Sequence, residues 1–133
     1  MPDGPEITDP IDLTLKDGTL NPDAIGWTRT PLHRTDGVAK SRRGRNKRWE
    51  YWAITTPTHV VGITAASIDY AGVSSLFVLD RTTGVQASHD AITPFGRGVA
   101  LPGTLDAGPT SVRAPKLSID LDPSAEGTRI RAE

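Results

Sequence analysis

The sequence contains no cysteine and few aromatic residues. Without cysteine among its 133 residues, the chain has neither a disulfide framework nor a thiolate metal site. Phe, Trp and Tyr make up only 5% of the residues, so each large aromatic side chain is a considerable share of any core or binding site. Apolar runs are also short: none approaches the ~20 residues of a membrane-spanning helix, and none follows the acidic start as a secretory signal would require. The expected location is the cytoplasm.

Glycine and proline, in contrast, are abundant. The chain has 13 Gly and 11 Pro, a composition typical of strands joined by turns and unusual for helices. Its length fits one domain around one core. The predicted fold is therefore all-β, with antiparallel strands.

Charge is unevenly distributed along the chain. The net charge of −1 by itself predicts no polyanionic partner. Residues 1–28 nevertheless carry six acidic residues and one lysine, whereas residues 29–48 carry eight Lys and Arg residues and one Asp. We interpret this as an acidic arm that attracts the basic run within the fold; a binding patch is the alternative.

The proline and glycine pattern divides the chain. Residues 1–26 are predicted to form an extended acidic arm, with a strand at Ile11–Leu15 and a short helical turn at residues 21–26. Residues 27–133 are predicted to form a single β domain. A last strand beginning at Thr128 would leave an open sheet edge, so the domain is expected to be half of a larger protein or to pair with a second copy.

Alternating apolar residues and turn signals place the strands of this domain. The predicted strands are Arg48–Thr55, His59–Ala66, Gly72–Asp80, Val85–Ser88, Leu117–Asp122 and one starting at Thr128. The first has apolar residues on both faces and is predicted to be central. Residues 80–84 are predicted to form a hairpin turn in which glycine supplies a positive φ, and residues 95–98 are predicted to form a turn. Residues 34–46 are predicted to be a surface loop, and residues 90–110 a long connection with at most a short strand at Val99–Leu101.

The large aromatic residues allow two interpretations. Trp27, Trp49, Tyr51 and Trp52 can line a ligand cavity, with Arg29 or Arg48 over an indole ring. Alternatively they form the core, which we favour for Trp49 and Trp52. Trp27 lies outside any periodic strand and fits a lid or loop anchor equally well.

His33 and Asp69 are the candidate acid–base residues. His33 fits a general acid or base, or a ligand contact, while its alternative is a structural hydrogen bond that anchors the Trp27 loop. Asp69, beside Tyr70, is the best acid candidate, although a turn between strands is the favoured reading. The other histidines, His59 and His89, are widely spaced, so no metal site is predicted.

A basic run at residues 40–48 precedes the aromatic residues. It could hold phosphates while Trp49 stacks on a base. A solvated loop is the favoured interpretation, because no recognised nucleic-acid-binding module accompanies the run.

Several short motifs occur together in a familiar order. They are Leu20-Asn21-Pro22, Ala24-Ile25-Gly26-Trp27, Arg29, Pro31-Leu32-His33, Lys47-Arg48-Trp49, Tyr51-Trp52 and Ile68-Asp69-Tyr70-Ala71-Gly72. Together they resemble the opening of a bacterial family of unknown function, DUF2804. The resemblance implies an all-β fold related to calycin or lipocalin-like barrels, here incomplete or open, in a protein more than twice this length. It implies no particular activity.

Three function hypotheses follow from these patterns. The first is a module that binds a small apolar or amphipathic ligand without catalysis or cofactor, through Trp27, Arg29, His33, Trp49, Tyr51, Trp52 and Tyr70. The second is a hydratase or cyclase type of enzyme that acts on an apolar substrate, with Asp69 or His33 as proton donor. The third is polyanion or nucleic-acid binding through the loop from Arg42 to Arg48.

Overall fold

The computed structural model describes residues 4–38, 44, 46–105 and 107–133, and strands dominate them. In chain order the strands are β1 Ile11–Asp12, β2 His33–Arg34, β3 Arg48–Thr55, β4 His59–Ser67, β5 Ala71–Asp80, β6 Gln86–Pro94, β7 Val99–Ala100, β8 Thr110–Ala114, β9 Leu117–Ser124 and β10 Gly127–Ala132. A short 3-10 helix, Pro22–Ala24, interrupts the arm. Within the described ranges, no helix is both long and apolar enough to cross a membrane.

The first sheet consists of β3, β4, β5 and β6, each antiparallel to the next. The turn between β5 and β6 forms as predicted, because the Asp80 carboxylate accepts hydrogen bonds from the backbone N–H groups of Thr82 and Thr83. Gly84 supplies the positive φ, +73°, that this turn requires. The strand predictions for β3, β4 and β5 are confirmed to within one residue at each end.

The second sheet has the order β10-β9-β8-β7 and is also an antiparallel meander. The predicted alternation in β9 is confirmed: Leu117, Ile119 and Leu121 are buried, whereas Ser118 and Asp120 lie on the other face. The predicted partner strand is β10.

The two sheets pack face to face over one core. Ile63 and Ala65 of the first sheet meet Val112, Ile119 and Leu121 of the second, and all five side chains are at most 1% exposed. Burying each of the larger aliphatic side chains stabilises the fold by about 1.5–3 kcal/mol. The all-β, antiparallel fold class is thus confirmed, as an open arrangement in which the described strands do not close into a barrel.

The position of β3 differs from the prediction. It is an edge strand, because in the described residues it pairs only with β4. Trp52 is half-buried against the core, whereas Trp49 and Tyr51 point away from it and are 65% and 60% exposed. The core interpretation is therefore wrong for Trp49. The second apolar set of β3 belongs to an apolar outer face of the first sheet, which runs through the cross-strand row of Trp49, Ala66, Val73 and Ile92.

The predicted connection at residues 90–110 is also partly wrong. Strand β6 continues to Pro94, and Thr110 already begins β8. Both strands bury small or polar side chains, with Ala91 and Thr93 inward in β6 and Thr110 inward in β8. Such side chains carry little hydropathy contrast, which is why the sequence pattern did not show the strands. The predicted turn at residues 95–98 and the short strand at β7 are confirmed.

The acidic arm is tied to the start of the basic run. Strand β1 pairs in parallel with β2, and it is shorter than the predicted strand at Ile11–Leu15. Two ion pairs join these segments, Glu6 to Arg29 at 2.7 Å and Asp12 to Arg34 at 2.8 Å. The expected attraction is thus present, and because the pairs are exposed each contributes little stability. Residues 39–43 and 45, which include most of the basic run at residues 40–48, lie outside the described residues.

Candidate functional site

A cavity of about 380 Å³ lies between the arm, the start of β3 and the segment that follows β7, and we refer to it as the arm cavity. Its volume is at the lower end of the range for small-molecule sites. The lining residues are Leu13, Pro31, His33, Thr35, Val38, Lys47, Arg48, Trp49, Glu50, Leu101, Pro102, Thr104 and Leu105.

The third wall of the cavity, residues 101–105, is held against the arm by hydrogen bonds. The Gly103 carbonyl accepts from both the backbone N–H and the hydroxyl of Thr35, at 2.7 and 2.8 Å. The Thr104 hydroxyl donates to the His33 carbonyl at 3.3 Å. A Cβ at position 103 would meet the exposed Asp36 carboxylate, which would have to move to make room for it. The wall is therefore fixed by contacts between residues far apart in sequence.

Arg48 ties the same wall to β3. It lies on the inward side of this strand and donates a hydrogen bond from Nη2 to the Pro102 carbonyl at 2.5 Å. A guanidinium group has five N–H donors, and this is the one hydrogen bond from Arg48 among the described residues. Arg48 therefore brings a positive charge to the arm cavity, with donors that no described residue engages.

Glu50 is the acidic residue of the cavity, and it is half-buried on the same side of β3. Its Oε1 accepts a hydrogen bond from Trp52 Nε1 at 2.7 Å, and its Oε2 accepts one from the Thr110 hydroxyl of β8. Both carboxylate oxygens therefore have a protein donor. Glu50 was not among the site residues predicted from the sequence, although its position two residues before Trp52 on an alternating strand was the available signal.

His33, in β2, lines the arm cavity as well. Its Nε2 lies 3.0 Å from the Ala24 carbonyl oxygen, an acceptor, so this nitrogen carries the hydrogen. In the neutral ring Nδ1 is then an acceptor. The contact with Ala24 is a structural hydrogen bond of the kind proposed as the alternative for His33, and it links β2 to the 3-10 helix just before Trp27.

Asp69 lies in the turn between β4 and β5 and borders a second cavity of about 290 Å³. Its Oδ2 accepts three hydrogen bonds, from Gly44 N at 2.7 Å and from Asn46 N and Nδ2 at 3.1 Å each. Its φ of +63° is in the left-handed region, which Asp tolerates better than most residues. The carboxylate thus clamps the segment before β3 against the turn. The second cavity shares Arg48 and Leu101 with the arm cavity.

The other predicted site residues are dispersed. Trp27 and Arg29 form their own cluster, in which the Arg29 guanidinium lies 5.0 Å from the Trp27 ring centroid. Tyr51 is on the outer face, Tyr70 is 59% exposed, and Trp52 packs against the core. Of the seven predicted ligand-binding residues, the arm cavity brings together His33 and Trp49.

Charge in the arm cavity is mixed. Lys47 and Arg48 contribute two positive charges and Glu50 one negative charge, which leaves a net charge of +1 before His33 is counted. Within the described part of the chain, no three His, Cys, Asp or Glu side chains come together as metal ligands.

Fold and site together define an all-β protein, an open pair of antiparallel sheets with a small, mainly apolar cavity where the arm meets the first sheet. The family model of the Domain of unknown function (DUF2804) matches residues 4–133, and the chain belongs to this family. Neither the curated proteins nor the solved structures gave a match.

Proposed function

We propose that this protein binds a small apolar or amphipathic ligand in the arm cavity. The observation that carries the proposal is the cavity itself, a concave space of about 380 Å³ with several apolar side chains and a few convergent polar groups. Leu13, Leu101 and Leu105 would contact the apolar part of the ligand, while Arg48 and His33 would face its polar part.

The construction of the walls supports the proposal. Hydrogen bonds of Thr35 and Arg48 fix residues 101–105 on one side, and the Glu50 bonds fix β3 on the other. A cavity whose walls are held in place before binding loses less entropy on association. Trp49, at the rim, would report ligand entry through its emission.

The proposal includes the relation to calycin or lipocalin-like barrels that the family resemblance implies. Antiparallel sheets with an apolar cavity lined by aromatic and basic residues support it. The cytoplasm stays the expected location. Among the described residues, the Asp69 carboxylate is engaged in three hydrogen bonds, so it gives catalysis no specific support. Most of the basic run at residues 40–48 lies outside the described residues, and those described give polyanion binding no specific support.

The direct test is calorimetric titration of the protein with 1-octanol, an apolar chain with an uncharged polar end. We expect saturable binding to the wild type and loss of binding in Leu105→Trp, whose larger side chain would fill the rim. Leu20→Trp is the matched control, because Leu20 is also exposed and is not a lining residue. Equal binding by both variants would contradict the proposal.

A further inference from the structure

We infer that the ligand of the arm cavity is an anion, an apolar chain or ring with a carboxylate or similar acidic group, and that Arg48 holds this group. The inference rests on the proposed function and specifies the chemistry of the ligand's polar end.

The Glu50 carboxylate is already engaged by hydrogen-bond donors of the protein. A carboxylate in a cavity would by itself favour a cationic ligand. In this cavity, however, both of its oxygens already accept hydrogen bonds from the protein, one from Trp52 and one from Thr110 across the two sheets. Glu50 is therefore engaged in joining the sheets, and a cationic ligand would have to compete with these donors.

Arg48, in contrast, has donors that no described residue engages. Among the described residues it uses one of its five donors, the Nη2 hydrogen bond to the Pro102 carbonyl. That bond orients the guanidinium group at the cavity wall. The planar group can still offer two parallel N–H donors to an acid, the geometry in which Arg binds carboxylates most strongly.

The charged side chains that line the arm cavity are mainly positive. Lys47 is a second cation at the cavity, so the positive charges exceed the single negative charge of Glu50. No described ion pair joins Arg48 or Lys47 to an acidic residue. The balance of charge and donors therefore favours an anionic head group.

Three probes with the same eight-carbon chain test the inference: octanoate, 1-octanol and octyltrimethylammonium. We expect octanoate to bind about tenfold or more tightly than 1-octanol, as a charge-assisted hydrogen bond would provide, and octyltrimethylammonium to bind most weakly. Raising sodium chloride from roughly 50 to roughly 500 mM should weaken the binding of octanoate and reduce the preference for octanoate over 1-octanol. If 1-octanol binds as tightly as octanoate, the inference fails and the proposed function stands. If none of the three binds, both fail.

Variants assign the preference to Arg48. In Arg48→Met we expect the ratio of octanoate to 1-octanol affinity to fall about tenfold. Arg34→Met is the matched control, because it removes a positive charge from the neighbouring strand β2 outside the cavity, and its ratio should resemble that of the wild type. An equal fall in both variants would overturn the assignment. If Arg48→Met does not fold, Glu50→Gln provides the opposite test, because it removes the negative charge from the cavity. The ratio of octanoate to 1-octanol affinity should then rise, and an unchanged or lower ratio would overturn the inference.

Discussion

The hydroxyl of Thr110 donates a hydrogen bond to the carboxylate of Glu50, and this contact joins two residues 60 positions apart. Glu50 lies on β3, the edge strand of the first sheet, and Thr110 begins β8 in the second. Thr110 is almost fully buried, at 1% exposure. The bond therefore fixes the edge strand that forms one wall of the arm cavity.

The first prediction concerns this contact. Thr110→Val should destabilise the fold by about 1–3 kcal/mol, because it leaves the half-buried Oε2 of Glu50 without a partner. Urea unfolding would measure the loss. Thr55→Val, on an exposed position of β3, is the control and should change stability by less than roughly 0.5 kcal/mol. A double variant with Glu50→Gln should show coupling; additive effects would mean that the two residues do not interact.

The second prediction compares the two faces of the first sheet. Ile63 is 1% exposed and Ile92 is 72% exposed, on neighbouring parts of the same sheet. Ile63→Ala should therefore cost about 2–5 kcal/mol, whereas Ile92→Ala should cost less than roughly 0.5 kcal/mol. Chemical denaturation of both variants tests which face is the core. Similar losses would show that the outer face is covered in solution.

The third prediction concerns Asp69. Asp69→Ala should destabilise the protein by about 1–3 kcal/mol, because Gly44 and Asn46 lose an acceptor and alanine disfavours the φ of +63°. Asp90→Ala removes an exposed acid from β6 and is the control. Thermal unfolding of both variants would measure this difference in stability. If Asp69→Ala is as stable as the wild type, Asp69 has no structural role and is again a candidate acid.

The fourth prediction is a pH dependence at the β5–β6 turn. The backbone N–H of Thr82, followed by the hydrogen bond to Thr83, holds the pKa of Asp80 below its usual value, with His59 adding a smaller favourable charge. Because the folded pKa is the lower one, the stabilisation is present above the ordinary Asp pKa of about 4 and is lost as pH falls through the folded value. Asp80→Asn should therefore be less stable than the wild type at neutral pH, and the difference should shrink below pH of about 4.

Urea midpoints of the two proteins at both pH values measure this difference. A gap of the same size at low pH would contradict the assignment to the charged carboxylate. Asp80 lies at the β5–β6 turn and is not a lining residue of the arm cavity, so the effect belongs to the turn.

The sequence predicted those parts of the fold in which local chemistry determines the structure. Alternation in β9 and the turn residues around Asp80 and Gly84 depend on neighbours along the chain, and both were predicted correctly. The edge position of β3 was not, because apolar residues such as Trp49 look the same in sequence whether they face the core or the outer face.

The candidate site was predicted only in part for a similar reason. His33 and Trp49 were identified, but residues 101–105 become their neighbours only when the two sheets and the arm come together. Long-range contacts such as the bond from Thr35 to Gly103 leave no periodic signal in the sequence.

The outer face is the other apolar surface to which a ligand with an alkyl chain would bind, so the site itself must be located. Amide chemical-shift mapping during titration with octanoate does this most directly. The account predicts that the largest shifts occur at Thr35, Leu101 and Thr104, around the arm cavity. Shifts concentrated at Val73, Phe77 and Ile92, on the outer face, would contradict it.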